Sequence, residues 1–216
     1  MILGVTPARG GSRGIPRKNL ATCCGKPLLA WTIEAALASR LLDRFVVSTE
    51  DNEIAGVSRS LGVGVLPRPA HLATDDATTL AVLQQVLSVI PADTVVLLQC
   101  TSPVREEGLI DACIRRFQET GADSLATGFW CSLFPWGSYS ARRQDLTPFF
   151  HDDGNVYVLR ADQVRKGDLW GKKRERFSVN REQTFEIDDE FDLWLNEKIL
   201  ERKFGCGGPR GERDSL

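Results

Sequence analysis

The 216 residues are 42% hydrophobic and 26% charged, the make-up of one globular domain with enough apolar material for a core. With 27 Lys plus Arg against 29 Asp plus Glu, the net charge of −2 excludes the broad basic field of a non-specific nucleic-acid or membrane binder. No apolar stretch approaches the roughly 20 residues that cross a bilayer, and the start "MILGVTPARGG" lacks the pattern of a signal peptide, so a cytoplasmic protein is expected.

In chain order, "ILGV" (2–5) reads as a strand and "PLLAWTIEAALAS" (27–39) as a helix, with Leu29, Ile33, Ala36 and Leu37 on one apolar face. Next come a strand "RFVVST" (44–49), a helix "DNEIAGVSRSL" (51–61), a strand "VGVLP" (63–67) and a helix "TTLAVLQQVLSVI" (78–90). A strand "TVVLLQ" (94–99), a helix "EEGLIDACIRRFQET" (106–120) and a strand "DSLATGF" (123–129) follow. "VVLL" is apolar without alternation, as a strand covered on both faces must be. This rhythm predicts an α/β fold with a doubly wound, mostly parallel sheet.

After residue 130 the rhythm breaks into aromatics, Pro, Gly and short strand-like pieces, which predicts an inserted antiparallel excursion around 130–160. Regularity returns with strands "GNVYVL" (154–159) and "QTFEI" (183–187), then a helix from Asp189 in which Phe191, Leu195 and Ile199 recur every fourth position. Residues 1–203 read as one domain and the Gly-rich, charged 204–216 as a disordered tail. The six cysteines lack CxxC spacing and stand beside only two histidines, so no zinc set is indicated. Adjacent Cys23 and Cys24 hint at redox chemistry, but small buried or turn thiols in a reducing compartment are the expectation.

The loop "TPARGGSRGIPRKN" (6–19) gathers Arg9, Arg13, Arg17 and Lys18 around Gly10, Gly11 and Gly14 directly behind the first strand. Ligands of doubly wound sheets sit beyond the carboxyl ends of the strands. Glycines able to take positive φ let backbone N–H groups converge on an anion, and the cations add charge, a combination suited to a polyphosphate. Neither GxxxxGK[ST] nor GxGxxG is present, so neither an ATPase nor a dinucleotide enzyme is indicated. A solvated surface loop is the plain alternative.

That loop resembles the signature of the CMP-sugar-acid synthetases, the acylneuraminate cytidylyltransferases. The similarity continues in order through "VVSTEDNEIA" (46–55), "RPAHLATDDATT" (68–79), "LLQCTSPVR" (97–105), "DDGNVYVL" (152–159) and "EIDDEFDL" (186–193). It implies a nucleotidyltransferase, GT-A-like fold, CTP and a 2-keto sugar acid as substrates, pyrophosphate as leaving group, and a divalent cation, usually Mg²⁺. It also implies a homodimer whose interface uses the 130–150 region.

By that resemblance Arg9, Ser12, Lys18 and Asn19 bind the nucleotide, Lys18 as the principal phosphate cation, with Arg13 and Arg17 auxiliary. Arg68 and Thr79 fall where the base is read, although "DDATT" is equally a helix N-cap. Glu186 and Asp188, two apart at a strand end, would share one face and hold the metal. Asp192 would support the helix, and Asp189 with Asp192 could be no more than a capping pair. The proton of the attacking hydroxyl would pass to a carboxylate such as Asp188 or to hydroxide on the metal. Lys18, Asp188 and Arg9 are thus the expected catalytic residues.

Gln99, Arg143 and Tyr157 match sugar-contacting positions, Arg143 suiting the substrate carboxylate and Tyr157 fitting a core aromatic as well. Trp136, Phe149, Phe150 and Trp170 would wall the pocket or the subunit interface. His71 and His151 read as surface or supporting residues. Glu186 stands where Asp is usual, Cys100 where Pro is frequent, Asp153 where sialic-acid enzymes tend to have Asn, and Gly137 where some carry Lys. The resemblance therefore speaks more firmly for cytidylyl transfer than for sialic acid: legionaminic, pseudaminic or another nonulosonic acid is open, and octulosonate is a rival. A nucleotide-binding homologue without transfer activity and a sugar-1-phosphate nucleotidyltransferase compete with it as well.

Overall fold

A computed structural model describes residues 1–135 and 137–206, with Arg143 described in its main chain alone. The expectations for Trp136 and for 207–216 lie outside the described residues. Seven strands form one sheet: β1 (Ile2–Pro7), β4 (Arg44–Thr49), β5 (Gly64–Pro67), β6 (Thr94–Leu98), β7 (Ser124–Cys131), β8 (Phe149–Arg160) and β9 (Arg174–Ser178), in the order β5-β4-β1-β6-β8-β7-β9. A separate two-stranded hairpin, β2 (Thr22–Cys23) with β3 (Lys26–Pro27), follows the basic loop.

β5, β4, β1 and β6 run parallel, and β9 runs parallel to β7. The expected antiparallel excursion is present as β8, which pairs antiparallel with β6 on one side and β7 on the other. The irregular aromatic stretch is the connection between β7 and β8.

Apolar helix faces cover both sides of the sheet. On one side Leu83, Val86 and Leu87 of α3 (Thr79–Val89) and Val164 of α5 (Ala161–Arg165) pack on Leu3, Val5, Val95 and Leu97. On the other, α1 (Leu28–Ala38), α2 (Asn52–Ser60) and α4 (Leu109–Thr120) bury Ile33, Ile54 and Ile114. Burying such side chains contributes about 1.5–3 kcal/mol each. α6 (Glu190–Phe204) packs Ile199 and Leu200 against Cys23, Leu28 and Val104 beside the hairpin.

Five expectations need correction. Leu37 is 54% exposed, so the face of α1 is Leu29, Ile33 and Ala36, and Phe191 is 65% exposed, so the buried stripe of α6 begins a turn later. "QTFEI" is not a strand: 181–184 form a 3₁₀ turn, and the extended stretch behind it makes a single backbone bond, from Ile187 N to Thr101 O at 2.8 Å. The chain from 204 is not all tail, because Phe204 closes α6 and Gly205 caps it in the left-handed region at φ 64°.

The fifth concerns the cysteines. Cys24 and Cys206 form a disulfide with Cα atoms 5.6 Å apart. Cys23, Cys100, Cys113 and Cys131 are buried free thiols, and burial pushes Cys23, Cys100 and Cys113 up to about 12.

Candidate active site

In the order β5-β4-β1-β6, the chain runs outward from β1 to β4 and β5 and then returns to β6 on the other side of β1, which opens a crevice beyond the carboxyl ends of β1 and β6. A cleft of about 420 Å³ occupies that place. The basic loop forms one wall, the 68–79 segment a second, the end of β6 the floor, and the segment entering α6 the far wall.

Arg9, Ser12, Lys18 and Asn19 all line the cleft. The loop is held from outside by pairs that leave it little slack. Arg17 donates to Asp51 at 2.6 and 3.0 Å and to Glu53 at 2.7 Å, and Asp51 also caps α2 by accepting from the N–H of Glu53 and Ile54. Asn19 Nδ2 donates to Arg9 O at 2.9 Å, and Gly10 N donates to Glu50 at 2.7 Å. Arg17 and Asn19 thus shape the loop for Arg9 and Lys18 to act from.

The loop glycines do something other than expected. None of Gly10, Gly11 and Gly14 takes positive φ; that conformation falls instead on Arg17, at φ 56°. Gly14 is needed for closeness, since a Cβ on it would lie 2.0 Å from the carbonyl oxygen of Asp188.

Arg68 lies in the cleft but is buried, with Nε 3.3 Å from Ser48 Oγ and Nη2 bonded to Ser48 O. Burial holds its guanidinium below the usual arginine range, the nearby Arg9 adding to this. Thr79 opens α3 and faces the cleft, whereas the helix cap is its neighbour Thr78, accepting from Ala81 N at 3.2 Å. The two readings of "DDATT" therefore divide between adjacent residues. Asp75, not anticipated, pairs with Arg9 at 2.7 Å and with Arg13 at 2.6 Å and ties this turn to the basic loop. A DD dipeptide opposite an Arg-rich loop was the only signal for it in the sequence.

Glu186 and Asp188 both line the cleft, while Ile187 between them is fully buried. The alternation expected of a strand survives without one, because Ile187 is pinned to Thr101 O and its side chain to the core. Glu186 Oε1 accepts from Thr101 Oγ1 at 2.8 Å. Burial raises its carboxyl above the usual range, and the neighbouring charges of Asp188 and Asp152 add to the rise against the pull of Thr101 and Lys18. Lys18 crosses from the loop to this wall: Nζ, on a side chain 14% exposed, lies 2.7 Å from Ile187 O and 3.2 Å from Asp188 Oδ1. Asp192 accepts from the N–H of Asp188 and Asp189, and Asp189 accepts from Asp192 N. This capping box fixes the backbone on which Asp188 stands.

Gln99 extends β6 into the cleft, its carbonyl oxygen accepting from Thr32 at 3.3 Å and Arg105 at 3.4 Å. Tyr157 does not line the cleft. It is 6% exposed, its ring tilted against Trp170 with centroids 5.7 Å apart, and its hydroxyl donates to Asp152 at 2.6 Å. Arg143 sits in a 3₁₀ turn at 143–145, and its side chain lies outside the described residues. Phe149, Phe150 and Trp170 stand away from the cleft lining. His151 stacks on Phe129 as a surface residue.

Fold and cleft together define an α/β protein of the nucleotidyltransferase fold. Two solved structures share it: CMP:2-keto-3-deoxy-manno-octonic acid synthetase complexed with CTP, at a TM-score of 0.77 and 16% identity over 94% of this chain and 99% of that one; and 4-diphosphocytidyl-2C-methyl-D-erythritol synthase from Anaerococcus prevotii, at 0.65 and 10% over 93% and 98%. A family model described as Cytidylyltransferase matches residues 3–132, and the chain belongs to that family. It is similar to the pseudaminic acid cytidylyltransferase of Campylobacter jejuni, 32% identical over 72% of this chain and 76% of the relative. It is also 27% identical to the N-acylneuraminate cytidylyltransferase of Escherichia coli O18:K1:H7 over 94% of this chain and 52% of the relative. The chain thus spans about half the length of that relative. The resemblance to CMP-sugar-acid synthetases read from the motifs is borne out.

Proposed function

We propose that the chain joins CTP to a nonulosonic, sialic-acid-like 2-keto sugar acid, releasing pyrophosphate and giving the CMP-activated sugar. The observation that carries this reading is the meeting, in one cleft at the sheet's switch point, of Arg9, Lys18 and Arg68 with the carboxylates of Glu186 and Asp188. Fixed cations placed where charge accumulates on a leaving pyrophosphate stabilise it without reorganising at the moment of reaction.

A divalent cation fits the acidic wall. Glu186 is largely desolvated beside Asp188, its carboxyl raised by burial and by that neighbour's charge, and carboxylate oxygens are the ligands that Mg²⁺ prefers. Among the described residues no cluster of three or more His, Cys, Asp or Glu side chains forms a metal cage, so Glu186 and Asp188 would hold the ion together with phosphate oxygens and water. When bound, it supplies positive charge against the phosphates. Lys18 and Arg9 hold the triphosphate from the loop side, while Arg68 and Thr79 flank the base. Gln99 marks the acceptor's end of the floor. Asp188 Oδ1 is engaged by Lys18, leaving Oδ2 to take the proton of the attacking anomeric hydroxyl.

The test is pyrophosphate release from CTP with a panel of sugar acids, with and without Mg²⁺, the product identified by mass spectrometry. Transfer to a nonulosonic acid that requires the metal is expected. CTP binding or hydrolysis without transfer, or transfer to octulosonate alone, would overturn the reading. Lys18→Ala should lower turnover by about 10²-fold, the cost typical of removing one transition-state donor, and unaltered turnover removes Lys18 from the phosphate site.

The working form is a homodimer. Trp130, Leu133, Tyr139 and Phe149 are all exposed on the β7–β8 hairpin and its connection, and large apolar side chains exposed together are what an interaction surface presents. Sedimentation should give twice the 23.9 kDa chain mass, and Trp130→Lys with Leu133→Lys should halve it. A parent that sediments as a single chain at micromolar concentration excludes the dimer.

A further inference from the structure

Tyr157 sits on the correct face for a sugar-binding residue and yet does not reach the cleft. Leu97 and Gln99, two apart on β6 and its extension, both line the cleft, so that face of the sheet is the floor. Tyr157 pairs directly opposite Leu97 across the β6–β8 ladder and therefore projects from the same face, one strand further from the basic loop. Its ring packs among Leu97, Leu159 and Trp170, and its hydroxyl is taken by Asp152 Oδ2 at 2.6 Å. Asp152 stands outside the cleft lining but on its Glu186 side, two residues before the Gly154 that touches Glu186, and it covers the phenol from there.

A break in the sheet makes this possible. The β7–β8 register runs Ala126 to Tyr157 and then Gly128 to Asp152, so two steps on β7 oppose five on β8 and the surplus loops out. Inside the loop, Asp153 turns into the core, its carboxyl accepting from Thr127 at 2.6 Å and Asn155 N at 3.0 Å. Gly154, at φ 69°, brings the main chain against Glu186: a Cβ there would stand 2.8 Å from Glu186 Oε1. Asp152 is left exposed at the lip of the bulge, within electrostatic reach of Glu186. One oxygen is tethered by a buried phenol; no hydrogen bond among the described side chains engages the other.

We propose that Asp152 is the specificity-determining carboxylate for the acceptor: its untethered oxygen accepts a hydrogen bond from a hydroxyl or amide N–H of the sugar acid, and Tyr157 is the positioning residue that aims it. The inference rests on the cytidylyl-transfer reading and adds the chemistry of the acceptor's far end. An ionised carboxylate only accepts, so that end of the substrate must carry a donor. Glu186 feels the charge of Asp152 and adds to the negative field there, so a second anionic group on the substrate is repelled.

The test takes the sugar acid that the parent turns over best, together with its mono-deoxy analogues, and measures KM for the acid, for CTP and for Mg²⁺ separately. Asp152→Asn keeps an oxygen for the phenol but presents an NH₂ donor to the substrate. Its acceptor KM should rise about tenfold or more, the scale of a lost hydrogen bond to a charged group, with the CTP and Mg²⁺ values within twofold. The parent should discriminate against one deoxy analogue, and Asp152→Ala should not. Tyr157→Phe should raise acceptor KM several-fold in the parent and add nothing in the Asp152→Ala background, a non-additivity that a purely structural tyrosine would not show.

Acceptor KM within twofold in Asp152→Asn, parallel rises for CTP or Mg²⁺, or full additivity of the two substitutions would overturn the assignment. A parent that transfers to no sugar acid sinks the functional reading and this inference together. A parent that transfers, with variants that do not differ from it, sinks this inference alone.

Discussion

The carbonyl oxygen of Asp188 stands where a side chain on residue 14 would begin, 2.0 Å from the ideal Cβ position. The atom in the way is backbone and is held on both sides, by Lys18 at Ile187 O and by Asp192 at the Asp188 N–H. Gly14→Ala must therefore push the basic loop and the acidic wall apart. Overpacking of this kind costs about 1–3 kcal/mol, which for a chain of this size lowers Tm by roughly 2–12 °C. The loss should reach metal-dependent turnover too, because the displaced segment carries Asp188. Gly11 is the internal control: a Cβ there meets nothing within 4 Å and no positive φ is required. Gly11→Ala should be neutral or stabilising by about 0.4–1 kcal/mol through the unfolded state. Thermal melts and turnover of the two variants decide the matter, and equal behaviour would show that Gly14 is not a spacer. The sequence placed the right glycines in the right loop for a different reason, since residue type reports that a side chain is intolerable but not whether conformation or crowding makes it so.

At the scale of elements, what could be read in advance was whatever a segment decides for itself. The apolar run of β6, the capping pair of Asp189 with Asp192, and the alternation of strand with helix each depend on local pattern, and each is found where expected. What could not be read depends on a partner. "QTFEI" has the composition of a strand but no neighbour to form a ladder with, and it makes one backbone bond. "RERFS" is charged and unpromising, yet it becomes β9 because the exposed edge of β7 accepts it. Charged residues are what an outermost strand should carry, since they discourage further pairing. The same limit explains Phe191: helical period assigns it to the buried stripe, but the first turn of α6 projects past the core, and its ring rests on Trp194 instead. The cleft was legible where its motifs are contiguous, since Arg9, Ser12, Lys18, Asn19, Glu186 and Asp188 all line it. Of the two readings of Tyr157, sugar contact or core aromatic, its burial fits the second, and the bulge that lays Asp152 over it is a property of two strands.

Over the whole molecule, one covalent link joins regions that the cleft already holds by polar contacts. Cys24 lies in the hairpin just beyond Lys18, and Cys206 lies past the far end of α6, the helix whose near end carries the acidic wall. The bond closes a loop of 182 residues, and bridges over long loops are worth typically about 2–4 kcal/mol, chiefly by restricting the unfolded chain. The cytoplasm expected from the composition keeps thiols reduced, so the oxidised and reduced forms are both worth measuring. After unfolding without reductant the oxidised protein should yield four reactive thiols, from Cys23, Cys100, Cys113 and Cys131, and six after reduction. Dithiothreitol should then lower Tm by roughly 4–16 °C, at about 2–4 °C per kcal/mol for a chain of this length. Cys206→Ser should reproduce the lower Tm and lose the response. Turnover at moderate temperature should survive, because the 15 residues of α6 put about 22 Å between the bridge and Asp188, whose own anchors are Lys18, Thr101 and the capping box. A loss of turnover that follows reduction while the fold persists would mean that the bridge sets the geometry of the cleft, and an unchanged Tm would mean that the contacts of α6 with the hairpin already hold everything the disulfide holds.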